Sequence, residues 1–265
     1  MRDPMRFYQQ GLRRSKPLLW IALPLLLTAC TKPKTDPPPP PAIVANAGPF
    51  GWVQGQVTVR GALPALHPHR VDGSLVKQCG DETPDLSLTV GPGGALAFAV
   101  VSIDDATPST LPANFAPALL DQKSCVYRPA IVATRAGQSL KVRNSDPVLH
   151  NVRGMSPGDR VPLFNVMMPI ENLTIEKKLP GQPGVVELQC DVHPWMHAWV
   201  ATFAHQLFAL TDDAGAFRIN GVPVGKHPLK FWHPRMGERR IEIEVKADAG
   251  TTADLGWEVS DIPPP

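Results

Sequence analysis

The sequence has almost no excess of charge of one sign, since 26 basic and 24 acidic side chains leave a formal net charge of +2 over 265 residues. No run of Lys and Arg exceeds two residues, so nucleic acid is not an expected partner. The sequence also lacks the Ser/His/Asp order of hydrolases, a glycine-rich phosphate loop and a paired-carboxylate motif. We therefore expect a binding or carrier protein and no enzyme.

Long apolar runs are scarce as well. Residues 18–27 form an apolar run of ten that contains Pro24 and follows a positively charged leader. As a helix this run spans ~15 Å, about half of a bilayer core, so it predicts a cleaved export signal over residues 1–29. The segment that ends in Thr28, Ala29 and Cys30 resembles the lipobox of bacterial lipoproteins, which implies lipidation of Cys30. Ordinary cleavage near Ala29 is the alternative.

Proline, by contrast, is abundant. The chain has 31 prolines, and five of them are consecutive at residues 37–41. Proline removes a backbone donor and costs about 3 kcal/mol inside a helix, so the scattered prolines favour short strands joined by turns. An apolar content of 43% is enough for a folded core. We predict an all-β protein that begins after a stiff, proline-rich linker at residues 30–47.

Three cysteines follow Cys30, and an odd number in an exported chain requires an explanation. Cys190 has unusual neighbours, so we expect a disulfide between Cys79 and Cys125 and a separate role for Cys190. Cys190, His193 and Met196 follow a Cys-x2-His-x2-Met pattern on one short loop between apolar runs.

A second histidine completes a ligand set. His150 lies forty residues upstream, after two alternating stretches at residues 131–133 and 140–142 that read as a hairpin. Two imidazoles and a thiolate with a weak thioether ligand form a blue copper centre. We expect one type 1 copper ion held by His150, Cys190, His193 and Met196. The axial position is open to other ligands, because His197 is adjacent to Met196, and Met155, Met167 and Met168 lie nearby in sequence.

Residues 127–203 resemble the cupredoxin family, and the short copper loop is most similar to its amicyanin-like members. The resemblance implies a Greek-key β-sandwich and electron transfer. It also implies that Asn144, six residues before the His-Asn-Val of residues 150–152, pins the ligand loop by hydrogen bonds. By the same resemblance, an apolar rim around His193, Pro194 and Trp195 would receive a redox partner such as a cytochrome c or a dehydrogenase, and the electron would pass through the imidazole of His193 to copper.

The remaining part of the chain has a different pattern. Residues 208–233 form two alternating runs with turns at residues 213–215 and 223–225, and they resemble the carboxypeptidase regulatory-like domain, a transthyretin-like sandwich. Residues 55–64 match the first strand of that domain, which implies that the copper module is inserted in it. Alternatively, residues 96–103 supply the first strand of the copper module.

We expect five segments in all. They are a signal peptide (1–29), a lipidated linker (30–47), a β region that completes one or both sandwiches (48–115), the copper domain (116–206) and the regulatory-like domain (207–262). The expected location is the bacterial cell envelope, facing the periplasm on a lipid anchor. Thr31 slightly favours the outer membrane. The alternative function is a copper-binding or copper-delivering module that carries no electrons.

Overall fold

The computed structural model of the protein describes residues 48–63, 65–109, 116–156 and 159–261. The expected signal peptide, Cys30 and the proline-rich linker lie outside these residues. Strands dominate the described part of the chain, which confirms the all-β prediction. In the same part, no helix is both long enough and apolar enough to cross a membrane.

The described residues form nineteen strands, one short α-helix and three 3-10 turns. The first nine strands are β1 (Phe50–Arg60), β2 (His69–Arg70), β3 (Glu82–Thr83), β4 (Val100–Ile103), β5 (Ala118–Lys123), β6 (Val126–Arg128), β7 (Ile131–Arg135), β8 (Ser139–Asn144) and β9 (His150–Met155). The others are β10 (Pro162–Met168), β11 (Thr174–Lys178), β12 (Gly184–Gln189), β13 (His197–Phe203), β14 (Phe208–Leu210), β15 (Ala216–Pro223), β16 (Gly225–His233), β17 (Gly237–Val245), β18 (Gly250–Thr252) and β19 (Leu255–Glu258). Helix α1 is Val76–Cys79, and the 3-10 turns are Gly73–Leu75, Pro92–Gly94 and Val259–Asp261.

The first sandwich consists of β1, β4 and β14 to β19. One sheet has the order β15-β1-β18, with β19 also paired to β1, and the other has the order β14-β4-β16-β17. Alternating residues of both sheets fill one core, in which Phe231 and Trp257 are fully buried. Phe231 meets Phe217 edge to face, with 5.8 Å between the ring centroids.

The second sandwich consists of β5 to β13. Its sheets have the orders β10-β9-β12-β13-β7 and β11-β8-β5-β6. The shared core includes Leu120, Tyr127 and Leu140, and it continues to Cys190 and Met196 at one end. The predicted copper ligands therefore lie at the end of a packed apolar core.

The second sandwich is inserted between two neighbouring strands of the first. Strands β4 and β14 are antiparallel neighbours, yet they are separated in sequence by β5 to β13. The alternative in which residues 96–103 supply a strand of the copper module is wrong, because β4 pairs with β14 and β16.

Arg135 ties the two connections between the sandwiches together. It is 4% exposed, and its guanidinium donates to the carbonyl oxygens of Phe203 (3.1 Å) and Ala204 (2.7 Å) on the returning connection. It also donates to the Oγ (3.1 Å) and the carbonyl of Ser109 on the outgoing connection. A further small cluster around Val100 and Ile131 packs the two sandwiches against each other.

The expected hairpin before His150 is wrong. Strand β7 pairs in parallel with β13, whereas β8 pairs with β5 and β11 in the opposite sheet. Val132 of β7 and Leu140 of β8 still enter the same core, but from two facing sheets. An alternating pattern is the same in a hairpin and in an arch between sheets, which explains the error.

Residues 69–83 lie against the copper loop of the second sandwich, and we call them the cap segment. The segment contains β2, α1 and β3, and a disulfide joins Cys79 at the end of α1 to Cys125 in the turn between β5 and β6. Val71, Leu75 and Val76 pack with this disulfide against Trp195 and Val148.

Candidate metal centre

A buried asparagine fixes the loop that carries His150. Asn144 ends β8 and is fully buried. Its Nδ2 donates to the carbonyls of Val148 (3.0 Å) and Met168 (3.0 Å). Its Oδ1 accepts a hydrogen bond from the N–H of Asp146 (2.9 Å). His150 then begins β9 and is itself fully buried. Asn144 therefore holds this loop against the end of β10.

The loop between β12 and β13 folds back on itself. The N–H of Cys190 donates to the carbonyl of Met196 (3.2 Å), and the N–H of Met196 donates to the carbonyl of His193 (2.9 Å). This tight turn brings together three side chains that are three residues apart. Their exposed fractions are 3% for Cys190, 0% for His193 and 1% for Met196.

His150 joins this loop. Its Nδ1 lies 2.9 Å from the Nδ1 of His193, and the Sγ of Cys190 lies 3.7 Å from the same atom of His193. One ligating atom from each of the three residues falls within 4.8 Å of the others. The structure therefore gathers two imidazole nitrogens and one sulfur around a common point.

Methionine supplies the fourth expected donor. Met196 packs in the same buried cluster as Cys190. Of the other methionines, Met168 accepts a hydrogen bond from Gln122 at its sulfur (2.9 Å), Met167 is 58% exposed, and Met155 lies at the opposite end of β9 from His150. The Nε2 of His197 lies 2.9 Å from the carbonyl oxygen of Pro194, and its Nδ1 lies 3.7 Å from Glu187. Met196 is therefore the thioether best placed to serve the site.

A carboxylate that we did not predict orients His150. The Nε2 of His150 lies 3.0 Å from the Oδ2 of Asp146, which is 5% exposed. This contact directs Nε2 to the carboxylate and turns Nδ1 toward Cys190 and His193. The Asp-Pro pair at residues 146–147 looks like ordinary turn chemistry in the sequence, so nothing there indicated this role.

The residue after His150 links the two ligand loops. The Oδ1 of Asn151 accepts the N–H of Asp191 (2.6 Å) and lies 3.3 Å from the Sγ of Cys190. Its Nδ2 donates to Asn165 (2.8 Å) and to the carboxylate of Asp191 (2.9 Å). We did not predict this role either, although its position beside His150 was a usable signal.

The electrostatics favour a thiolate at Cys190. Burial raises the pKa of the Cys190 thiol, but hydrogen bonds from His150 and His193 outweigh burial and lower that pKa to about 6. Burial lowers the pKa of His150, but its contacts with Asp146 and Cys190 more than compensate and raise that pKa. A thiolate, two imidazoles and a thioether suit copper, which accepts both nitrogen and soft sulfur ligands.

The cap segment covers His193. The sulfurs of Cys79 and Cys125 and a ring nitrogen of His193 lie within 4.8 Å of one another. Trp195 is half-buried, donates from Nε1 to the carbonyl of Cys125 (2.9 Å) and stacks on His69. Pro194 is exposed, whereas the imidazole of His193 is fully buried, and the sulfurs of the disulfide lie beside it.

No protein-family model matches this chain, and no curated protein does. Among solved structures, amicyanin from Paracoccus versutus (Thiobacillus versutus) is 18% identical, with a TM-score of 0.30; the match covers 39% of this chain and 97% of amicyanin. A purple cupredoxin from Nitrosopumilus maritimus is 22% identical, with a TM-score of 0.29; that match covers 32% of this chain and 99% of the cupredoxin.

Proposed function

We propose that the second sandwich holds one type 1 copper ion and acts in one-electron transfer. The observation that carries this proposal is the convergence of His150, Cys190 and His193, with Met196 buried beside them. Bound copper would supply a Cu(II)/Cu(I) couple. The donor set fits both oxidation states, because sulfur suits the cuprous ion and nitrogen suits the cupric ion.

The chain around the site supports a carrier role. Asn144 and Asn151 bind the two ligand loops to each other and to the sheet, so the ligands are held in place before any metal arrives. All four donor residues are at most 3% exposed, which disfavours water as a competing ligand. A rigid site that excludes water has a small reorganisation energy, which favours fast electron transfer.

Substitution of Cys190 tests the assignment. Copper-loaded protein should show intense visible absorption and a narrow hyperfine splitting in its electron paramagnetic resonance spectrum, since both report a copper–thiolate bond. Cys190→Ser should abolish both signals, whereas Met167→Leu, at an exposed methionine, should preserve them. A blue Cys190→Ser variant would end the proposal.

A second candidate is a module that holds or delivers copper and carries no electrons. The observation that favours it is the complete burial of His193 under the cap segment, which removes the exposed imidazole that a redox partner would approach. A reversible one-electron potential and reduction by a cytochrome c or a dehydrogenase would support the carrier. Rapid loss of copper to a chelator, without reversible voltammetry, would support delivery.

We also propose that lipid at Cys30 anchors the protein to the bacterial cell envelope on its periplasmic side. The support is the lipobox-like segment and the proline-rich linker that follows it. Cys30→Ala should move the protein from the membrane fraction to the soluble fraction, with Cys190→Ser as the control that stays with the membrane. Sedimentation of Cys30→Ala with membranes would contradict the anchor.

A further inference from the structure

Two cysteines form a second cluster of ligand atoms together with His193, which also belongs to the first site. The sulfurs of Cys79 and Cys125 and one ring nitrogen of His193 lie within 4.8 Å of one another. The three residues are 7%, 0% and 0% exposed. They come from the end of α1, the turn between β5 and β6 and the copper loop, so three separate parts of the chain converge on this point.

An unpaired nitrogen points to a ligand at this cluster. The Nδ1 of His193 faces His150 and Cys190, at 2.9 and 3.7 Å. Its Nε2 is buried and has no hydrogen-bond partner among the described residues. A buried imidazole nitrogen without a partner is unusual in folded proteins. Because Nδ1 is directed to the first site, Nε2 is the ring nitrogen that remains for the two sulfurs.

The backbone holds Cys125 in place independently of the disulfide. Ser124 and Cys125 have φ values of 55° and 53°, a left-handed conformation that non-glycine residues seldom adopt. The carboxylate of Asp146 accepts both of their N–H groups, at 2.7 and 2.9 Å, and Trp195 donates to the carbonyl of Cys125 at 2.9 Å. The backbone of this turn is therefore held on both sides by contacts that do not involve the sulfur–sulfur bond.

Packing keeps Cys79 nearby. Its Cα lies 5.3 Å from that of Cys125, and the cap residues Val71, Leu75 and Val76 pack around the pair against Trp195. These apolar contacts do not depend on the disulfide. Reduction should thus give two thiols beside an imidazole, which is a three-ligand set for a soft metal ion.

We propose that Cys79, Cys125 and His193 form a second metal site in the reduced protein, and that its ion is Cu+. A dithiol reductant gives two electrons and two protons to the disulfide and leaves as its own disulfide. Cu+ then replaces both thiol protons, and the Nε2 proton leaves with them when Nδ1 is already ligated. No further electron is needed, because copper enters in the cuprous state.

The second site goes beyond the electron-carrier function. It requires neither Cys190 nor Met196, and it is available only when the disulfide is open. It would share one imidazole with the first site, each using a different ring nitrogen. The chain would then hold one copper ion under oxidising conditions and two under reducing conditions.

The test is the Cu+ stoichiometry of the full chain carrying Cys30→Ala, so that residue 30 contributes no thiol. Protein with the disulfide intact and protein reduced by a phosphine, then freed of it without oxygen, are titrated with Cu+ against bicinchoninate. Thiol counts should rise by two on reduction, and bound Cu+ should rise by one equivalent. This comparison needs no substitution that could impair folding.

Two cysteine variants test which residues bind the additional equivalent of Cu+. Cys79→Ser should remove it, whereas Cys190→Ser should retain it while losing the blue colour of the first site, so failure of one site is distinguishable from failure of the other. Equal stoichiometry before and after reduction, with two new thiols present, would overturn the second site. A parallel titration with Zn2+ checks the ion: an extra equivalent of Zn2+ but none of Cu+ would overturn the choice of copper.

Discussion

Asp146→Asn should lower the free energy of unfolding of the metal-free protein, although the two side chains have nearly the same size. The carboxylate is 5% exposed and accepts three N–H groups: the backbone of Ser124 (2.7 Å), the backbone of Cys125 (2.9 Å) and the Nε2 of His150 (3.0 Å). An asparagine keeps one acceptor oxygen, and its amide nitrogen would face donors. At least one buried N–H therefore loses its partner.

The size of the effect follows from these contacts. A buried donor left without a partner costs about 1–3 kcal/mol, and a hydrogen bond to a charged group contributes about 1.5–3 kcal/mol. We expect a loss of about 3 kcal/mol, which for a domain of this size corresponds to a fall in Tm of about 6–12 °C. The control is Asp213→Asn, because Asp213 is exposed in a turn of the first sandwich.

The effect should depend on pH, with a sign that the pKa shifts determine. Burial raises the pKa of Asp146, but hydrogen bonds from His150, Cys125 and Ser124 outweigh burial and lower that pKa. Its contribution is present above the ordinary carboxyl pKa of about 3.9 and is lost as pH falls through the lowered value. The raised pKa of His150 gives a contribution that is present below about 6.5 and is lost as pH rises through the raised value.

Calorimetry of the disulfide-intact, metal-free protein checks both points. The Tm difference between wild type and Asp146→Asn should be largest between about pH 4 and 6.5, and it should shrink on either side. Equal Tm values for Asp146→Asn and Asp213→Asn at pH 5.5 would refute the role of the carboxylate. A difference that does not change with pH would refute the charge-dependent part.

Two further substitutions test the site and the first sandwich. Asn151→Ala should lower stability by about 1–3 kcal/mol, because it leaves the N–H of Asp191 without its partner. It should also broaden the copper hyperfine pattern, since Asn151 contacts Cys190, whereas the exposed Asn220→Ala should change neither the denaturation midpoint nor the spectrum. Phe231→Ala should cost about 3–5 kcal/mol in urea denaturation, as truncation of a fully buried aromatic does. Phe50→Ala, at a 36% exposed ring, should cost far less, and a similar cost for both would contradict the proposed core.

The local part of the candidate site was predictable from the sequence. Cys190, His193 and Met196 are three residues apart, so a single tight turn is enough to bring them together. Proline content and alternating apolar residues likewise predicted the strands. The strand pairing was not predictable in the same way: alternation shows which side chains are buried, but β7 and β8 could meet that pattern in one sheet or in two.

The supporting contacts of the site depend on tertiary structure and were missed for that reason. Asp146 contacts His150, which is four residues away in sequence, but it also contacts Ser124 and Cys125, which are 22 and 21 residues away. The cap segment reaches the copper loop from more than a hundred residues upstream through one disulfide and a small apolar cluster. No local pattern in residues 69–83 indicates which part of the protein they will cover.

The position of the disulfide bears on both candidate functions, electron transfer and copper delivery. An electron carrier needs a short path from the metal to its surface, and the complete burial of His193 closes the direct one. The cap segment covers His193, and the disulfide between Cys79 and Cys125 links this segment to the second sandwich beside the same imidazole. Any redox process that opens this disulfide would therefore change both the covering of His193 and the set of sulfur ligands beside it. A carrier whose potential and electron-exchange rate are insensitive to the disulfide must exchange electrons elsewhere on its surface, whereas a copper-delivering module should release or gain its ion when the disulfide opens.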